Sequence, residues 1–375
     1  MLLLLPSASS LPPRSAELDD LKQYASPFIP ITSTSDTDAE LRKKTGLHKL
    51  LHSAPMTHRR CKALYAGKNA NAQQSDMPPR GESLTPEQRL NFTLGGSAEW
   101  ADSYVHGDFH NSASKHRSGF TTQQFLSETL SKLIANCLPL QDKCKFLKEV
   151  PADHTAKFAC PFGYPSGGGH LVCEAATTYA SQIQGKRGFV VGSQWPWVEA
   201  ILFAAGARDL TTIEYANATT DHPNYRIRHP NEVKEEFLHG GFRRESSLYD
   251  FGFSFSSLEH DGLGRYGDPL NPVGDLEAVA QAACLLKPGG LFFLGVPTMD
   301  DHVVWNEGRV YGHRRLALLF APFTLVAALG FQPNVDKKLP LAQHGKERQG
   351  GNMCKPRWAC NTHPIFVLRR ETTAE

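Results

Sequence analysis

After Gly185 the sequence alternates between short apolar runs and amphipathic stretches, and this alternation constrains the fold more than any other feature. Gly188-Phe189-Val190-Val191 reads as a strand buried on both faces. Pro196 suits the first turn of a helix running to about Ala205, and Leu210-Thr211-Thr212-Ile213-Glu214 reads as the next strand. His229-Pro230 opens another helix, with Val233, Phe237 and Leu238 as its apolar side, and 250–255 alternates as a strand. Leu276, Val279, Ala280, Ala283 and Leu286 form one stripe of a helix over 274–286. Pro288-Gly289-Gly290 ends that helix, and 291–296 is a buried strand. A helical stretch near 314–328 and strands near 331–336 and 364–369 complete the pattern. Such alternation predicts an α/β fold over 185–370: a Rossmann-like, doubly wound, mostly parallel sheet.

The first half reads differently. Residues 1–118 form a low-complexity arm: from Thr32 to Ser118 the only aromatics are Tyr65, Phe92, Trp100, Tyr104 and Phe109. So little apolar surface does not offset the entropy of ordering, and the arm is expected to be largely disordered, with a helix near 38–52 spaced by Leu41, Leu47, Leu50 and Leu51. Residues 119–184 read as a helical extension. Thr121 and Gln124 resemble a capping box ahead of Phe125, Leu126, Leu130, Leu133 and Ile134 on one face. A second helix over 171–184 carries Val172, Ala175, Ala176, Tyr179 and Ile183. Between them the glycine-rich 161–170 lacks the Lys-Ser/Thr of a phosphate loop and reads as a flexible linker.

Composition excludes some classes. A formal net charge of +2 argues against nucleic acid as partner, and the clusters His58-Arg59-Arg60 and His313-Arg314-Arg315 are too small to change that. No stretch approaches the roughly 18 apolar residues of a membrane span. The apolar run 2–5 is short of a signal-peptide core and has no basic residues before it. The eight cysteines include no C-x-x-C pair, so ordinary thiols and a cytoplasmic protein are the expectation. The sequons Asn91-Phe92-Thr93 and Asn217-Ala218-Thr219 would matter only in a secreted chain. Cys354, Cys360, His363 and His344 fit no usual zinc spacing, and no metal site is expected.

In doubly wound sheets ligands bind beyond the carboxyl ends of the strands, which selects four stretches. Gly192-Ser193 follows the first strand, where glycine admits close backbone approach and a helix N-terminus offers free N–H groups. Glu214 ends the second strand, where a carboxylate can accept the ribose hydroxyls of an adenosine. The loop from Ser256 and Ser257 through Glu259, His260 and Asp261 to Arg265, Tyr266 and Asp268 is long and dense in ionisable groups. In it His260 suits a general base, with Asp261 or Asp268 orienting it. Residues 297–306, with Asn306, Arg309 and Tyr311, could line an acceptor pocket.

These residues also carry a resemblance. Leu286-Lys287-Pro288-Gly289-Gly290 is similar to the segment before the fifth strand of class I methyltransferases, and Leu258-Glu259-His260 to their pattern after the fourth. The run 255–270, with Val190-Val191-Gly192-Ser193, Ile213-Glu214-Tyr215 and Val310-Tyr311-Gly312, resembles an uncharacterised family first described from Caenorhabditis proteins. The match spans about 165–370 and implies a class I methyltransferase-like core. On that reading S-adenosylmethionine (SAM) lies across Gly192 and Ser193, with Glu214 on its ribose and Ser256, Ser257 and Glu259 toward its methionine end. His260 or Asp261 removes the acceptor proton. Arg265, Tyr266, Asp268, Asn306, Arg309 and Tyr311 face the acceptor.

One departure stands out. The acidic residue and G-x-G usual after the first strand are reduced to Gly192, and Trp195-Pro196-Trp197 add bulk. A nicotinamide oxidoreductase would need G-x-G-x-x-G there, which is absent. The expected function is SAM-dependent methylation of a small-molecule or glycan acceptor. The alternative is an inactive binding or scaffold protein on the same fold.

Overall fold

The computed structural model describes residues 56–66, 78–103, 130–149, 168–193, 195–215, 220, 222–266, 268–331 and 363–371. Ahead of the α/β alternation lie α1 (His58–Tyr65), α2 (Pro86–Phe92), β1 (Glu99–Ala101), α3 (Leu140–Glu149), α4 (Gly168–Thr178) and α5 (Ala180–Ile183). The alternation then runs β2 (Arg187–Val191), α6 (Trp197–Ala204), β3 (Asp209–Ile213), β4 (Tyr225–Arg228), α7 (Pro230–Leu238), β5 (Tyr249–Phe255), α8 (Gly274–Leu285) and β6 (Leu286–Gly295). It closes with β7 (His302–Val304), β8 (Gly308–Val310), α9 (His313–Phe320), β9 (Phe323–Leu329) and β10 (Ile365–Arg370).

Seven strands form the main sheet in the order β4-β3-β2-β5-β6-β10-β9. The first five pair in parallel, and β10 runs antiparallel to both β6 and β9. The chain winds outward from β2 to β4, then returns to lay β5 on the other side of β2. That reversal opens a crevice at the carboxyl ends of β2 and β5. Side chains alternate faces along each strand. Phe189, Phe292 and Leu294 pack with α1, α7, α8 and α9, while Val190, Phe253 and Phe293 pack with α3, α4, α5 and α6. Both faces are covered, which is why these strands read as continuous apolar runs. The sheet is of the class I methyltransferase type.

Several expectations need correction. The helix expected to run to 328 ends at Phe320, and 323–329 is strand. Its Phe-Thr-Leu-Val run pairs with β10, and the strand expected near 331–336 lies outside the described residues from 332 onward. β4 was not anticipated, because Arg226 and Arg228 disguise an edge strand. Gly168, Gly169 and His170 belong to the first turn of α4 and not to a linker. A Cβ on Gly168 would lie 2.2 Å from the Phe255 ring, so glycine there serves close packing. The helix near 38–52 and the capping box at Thr121 lie outside the described residues, whereas Leu130 and Leu133 are buried.

Within the expected arm, 56–66 and 78–103 are built against the α/β domain. Cys61 and Tyr65 of α1 are buried in the main core. β1 pairs in parallel with β7, giving a three-stranded sheet β1-β7-β8. Leu84, Phe92, Ala98, Leu263, Val303 and Trp305 form its satellite core. Among the described residues the cysteines are not ordinary thiols: Cys61 is bridged to Cys284 and Cys144 to Cys173. Cys137 is disulfide-bonded too, and no cysteine is free among the described residues. Among those residues no helix is long and apolar enough to cross a membrane.

Candidate functional site

A cavity of about 680 Å³ opens at the carboxyl ends of β2, β3 and β5. Gly192, Ser193, Glu214, Ser256, Ser257, Glu259, His260, Asp261, Arg265, Tyr266, Asp268 and Arg309 all line it. On the β2 side Gly192 has φ +70° and donates its N–H to Ile213 O at 2.9 Å. A Cβ there would sit 1.7 Å from Ser257 Oγ, so only glycine lets the two loops approach. The Ser193 N–H donates to Glu214 Oε2 at 2.9 Å, while its Oγ lies 2.9 Å from Trp195 O and 3.0 Å from Glu199 Oε2.

Glu199 was missed from sequence. It projects from α6, is fully buried, and accepts from Thr212 Oγ1 at 2.5 Å. Tyr225 OH in turn donates to Thr212 Oγ1 at 3.0 Å. Burial pushes the Glu199 carboxyl up to about 7. The available signal was a lone charged residue in the otherwise apolar 197–204.

On the β5 side Ser256 holds φ +50° and donates its N–H to Gly295 O at 3.0 Å. Its Oγ donates to Glu259 Oε1 at 2.7 Å. Glu259 Oε2 is buried without a hydrogen-bond partner, and burial pushes this carboxyl up to about 7. His260 Nδ1 lies 2.5 Å from Glu307 O. A carbonyl only accepts, so Nδ1 carries the proton and Nε2 keeps its lone pair. Burial, then the Arg265 guanidinium, hold His260 well below the usual histidine range, so the ring is neutral. Arg265 Nη1 donates to the same carbonyl at 2.6 Å, and Tyr266 packs edge-on against the imidazole. Burial and the neighbouring Asp268 push the Asp261 carboxyl well up.

Asp268 does not orient His260. Its carboxylate accepts the N–H groups of Gly262, Gly264 and Tyr266 at 2.6, 3.1 and 3.2 Å, so it ties the loop together. Arg309, fully buried on β8, donates to Asp261 O at 2.6 Å and to Glu259 O and Asn271 O at 3.3 Å, pinning that loop from behind. Asn306 and Tyr311, expected in the acceptor pocket, lie outside the cavity wall. Asn306 occupies the turn between β7 and β8 at φ +59°. Tyr311 OH donates to Asp275 Oδ2 at 3.0 Å in a buried cluster where Arg315 grips Asp275 through two bonds of 2.6 and 2.7 Å.

Residues 185–355 match the model of the family described as Caenorhabditis protein of unknown function, DUF268. The match falls on the α/β domain. Strands β2 to β9 and the loop 256–268 fall within the matched residues, whereas β10 lies beyond them. Among solved structures the chain is similar to 1,6-didemethyltoxoflavin-N1-methyltransferase of Burkholderia thailandensis, solved with 1,6-didemethyltoxoflavin and S-adenosylhomocysteine. That likeness has 14% identity over 72% of this chain and 94% of that one, with a TM-score of 0.32. It is also similar to an S-adenosylmethionine-dependent methyltransferase of Mesorhizobium loti, at 12% identity over 53% and 98%, TM-score 0.31. No curated protein matches the sequence.

Proposed function

We propose that the α/β domain is a SAM-dependent methyltransferase acting on a small-molecule or glycan acceptor. The observation that carries this is the convergence of Gly192, Ser193, Glu214 and Ser256 through Asp261 on one cavity at the switch point of the sheet. The residues fit the cofactor: Glu214 stands where a ribose is held, Gly192 and Ser193 supply backbone at a close turn, and the unpartnered Glu259 Oε2 awaits a polar group. Ser256, Ser257 and Glu259 take the methionine end. SAM supplies an electrophilic methyl group on its sulfonium.

The chain's own work is positioning and proton handling. His260, with its Nδ1 proton fixed on Glu307 O, presents Nε2 as the base for an acceptor hydroxyl or amine. Arg265 and Tyr266 bound the acceptor side. The near-balanced net charge of +2 supports a small molecule or glycan over nucleic acid as the acceptor. The disulfides support maturation in an oxidising compartment over the cytoplasmic expectation.

Titration of the full chain with SAM and S-adenosylhomocysteine by calorimetry tests the reading. Glu214→Ala should weaken binding by about 10- to 100-fold, as loss of a buried charged hydrogen-bond acceptor costs about 1–3 kcal/mol. No heat from a folded protein with either ligand would leave the inactive scaffold as the function of this fold.

A further inference from the structure

The loop after β2 has Gly192 and Ser193 with no acidic residue of its own, and a carboxyl group reaches it from α6. We propose that Glu199 is a positioning residue for the cofactor loop, holding Ser193 as a neutral carboxylic acid with its proton on Oε2. The inference rests on the SAM reading and adds how the degenerate loop keeps its shape.

A proton count carries it. The Ser193 hydroxyl has one proton but faces two acceptors, Trp195 O at 2.9 Å and Glu199 Oε2 at 3.0 Å. With Glu199 ionised, one of those contacts sets lone pair against lone pair. A proton on Oε2 resolves the conflict: the acid donates to Ser193 Oγ, and Ser193 donates to Trp195 O. On the other side Tyr225 OH donates to Thr212 Oγ1, and Thr212 donates to Oε1, the carbonyl oxygen of the acid. Every proton then has an acceptor. Among the described residues no Lys, Arg or His pairs with Glu199. The groups around it are Ser193 on the loop, Thr212 on β3, Tyr225 on β4, its own backbone N–H and the carboxyl of Glu214. Burial favours the neutral form and outweighs the hydrogen bonds from Thr212, the Glu199 N–H and Ser193, which favour the ion; the Glu214 charge adds to the burial.

Ser193 is thus held twice, by Glu199 at its hydroxyl and by Glu214 at its N–H. The protonation of Glu199 reaches the ribose carboxylate through a single residue.

The test uses the full chain carrying Glu199→Gln or Glu199→Ala. Glutamine keeps a donor for Ser193 and an acceptor for Thr212 but does not ionise. At about pH 6 the Gln variant should bind SAM within about threefold of wild type, while Ala weakens it by about tenfold or more. At about pH 8.5 wild type should weaken by about 10- to 30-fold and the Gln variant should not. A Gln variant as impaired as Ala at the lower pH, or a wild type whose affinity ignores pH, overturns the proposal. Thermal melting decides it without cofactor. The folded carboxyl resists ionisation, so the unfolded chain loses its proton first and wild-type stability falls relative to Gln as pH rises from about 4.5 to about 7. A Gln-minus-wild-type difference that stays constant across that window also overturns it. Absence of SAM binding by wild type, with this melting difference present, would sink the methyltransferase reading and leave the acid in place.

Discussion

Asp275 has no solvent contact, yet it is charged. Burial opposes its ionisation, but Arg309 and Arg315 outweigh that and hold its carboxyl below the usual range. Arg315 binds it at both oxygens, Tyr311 donates to one of them, and the Arg309 Nε lies 3.7 Å away. Asp275→Asn would leave two buried guanidinium groups without their anion. It should destabilise the protein by about 3–5 kcal/mol in urea denaturation. Because the folded pKa is depressed, the charge contributes stability above the ordinary value of 3.8 and loses it as pH falls further, so the Asn variant should show a flatter acid limb. None of this was legible beforehand. Asp275 lies 40 residues before Arg315, and Tyr311 was placed at the pocket because its neighbours were polar. Glu214 and the 256–261 stretch were legible, because they follow from the strand-end rule applied to strands whose apolar runs were plain.

At the scale of elements, the segment 78–103 shows how few residues suffice to dock a chain. Trp305 in the β7–β8 turn is fully buried, donates its Nε1–H to Pro79 O at 2.9 Å, and meets the rings of Phe92 and Trp100 at 4.9 and 5.4 Å. Trp305→Ala should cost about 3–5 kcal/mol and expose 78–103 to limited proteolysis ahead of the rest. Cleavage there at the wild-type rate would contradict that role. The arm was expected to be disordered because aromatics are sparse, yet Phe92 and Trp100 make these contacts and Tyr65 is buried in the main core. Composition averages over a segment, whereas docking depends on single side chains meeting a partner far away in sequence. For the same reason the edge strand β4 was missed: one exposed face and two arginines dilute the apolar signal that marked β2, β5 and β6.

For the whole molecule, the parallel sheet was readable because burial on both faces leaves little freedom in residue choice. The bridges were not, since Cys61 and Cys284 are 223 residues apart and no local spacing announces a pair that only the tertiary fold brings together. That bridge joins α1 to α8 and changes the connectivity of the polymer. From Cys61 to Cys284 the backbone is a closed ring, and β2 through β5 lie on it while β6, β9 and β10 hang from it as a tail. A single protease cut anywhere on the ring should therefore leave one covalent molecule, migrating as one band on a denaturing gel without reductant and as two fragments after reduction. Two bands without reductant would show the ring to be open. A break in the backbone between those two cysteines is, for this chain, not a separation.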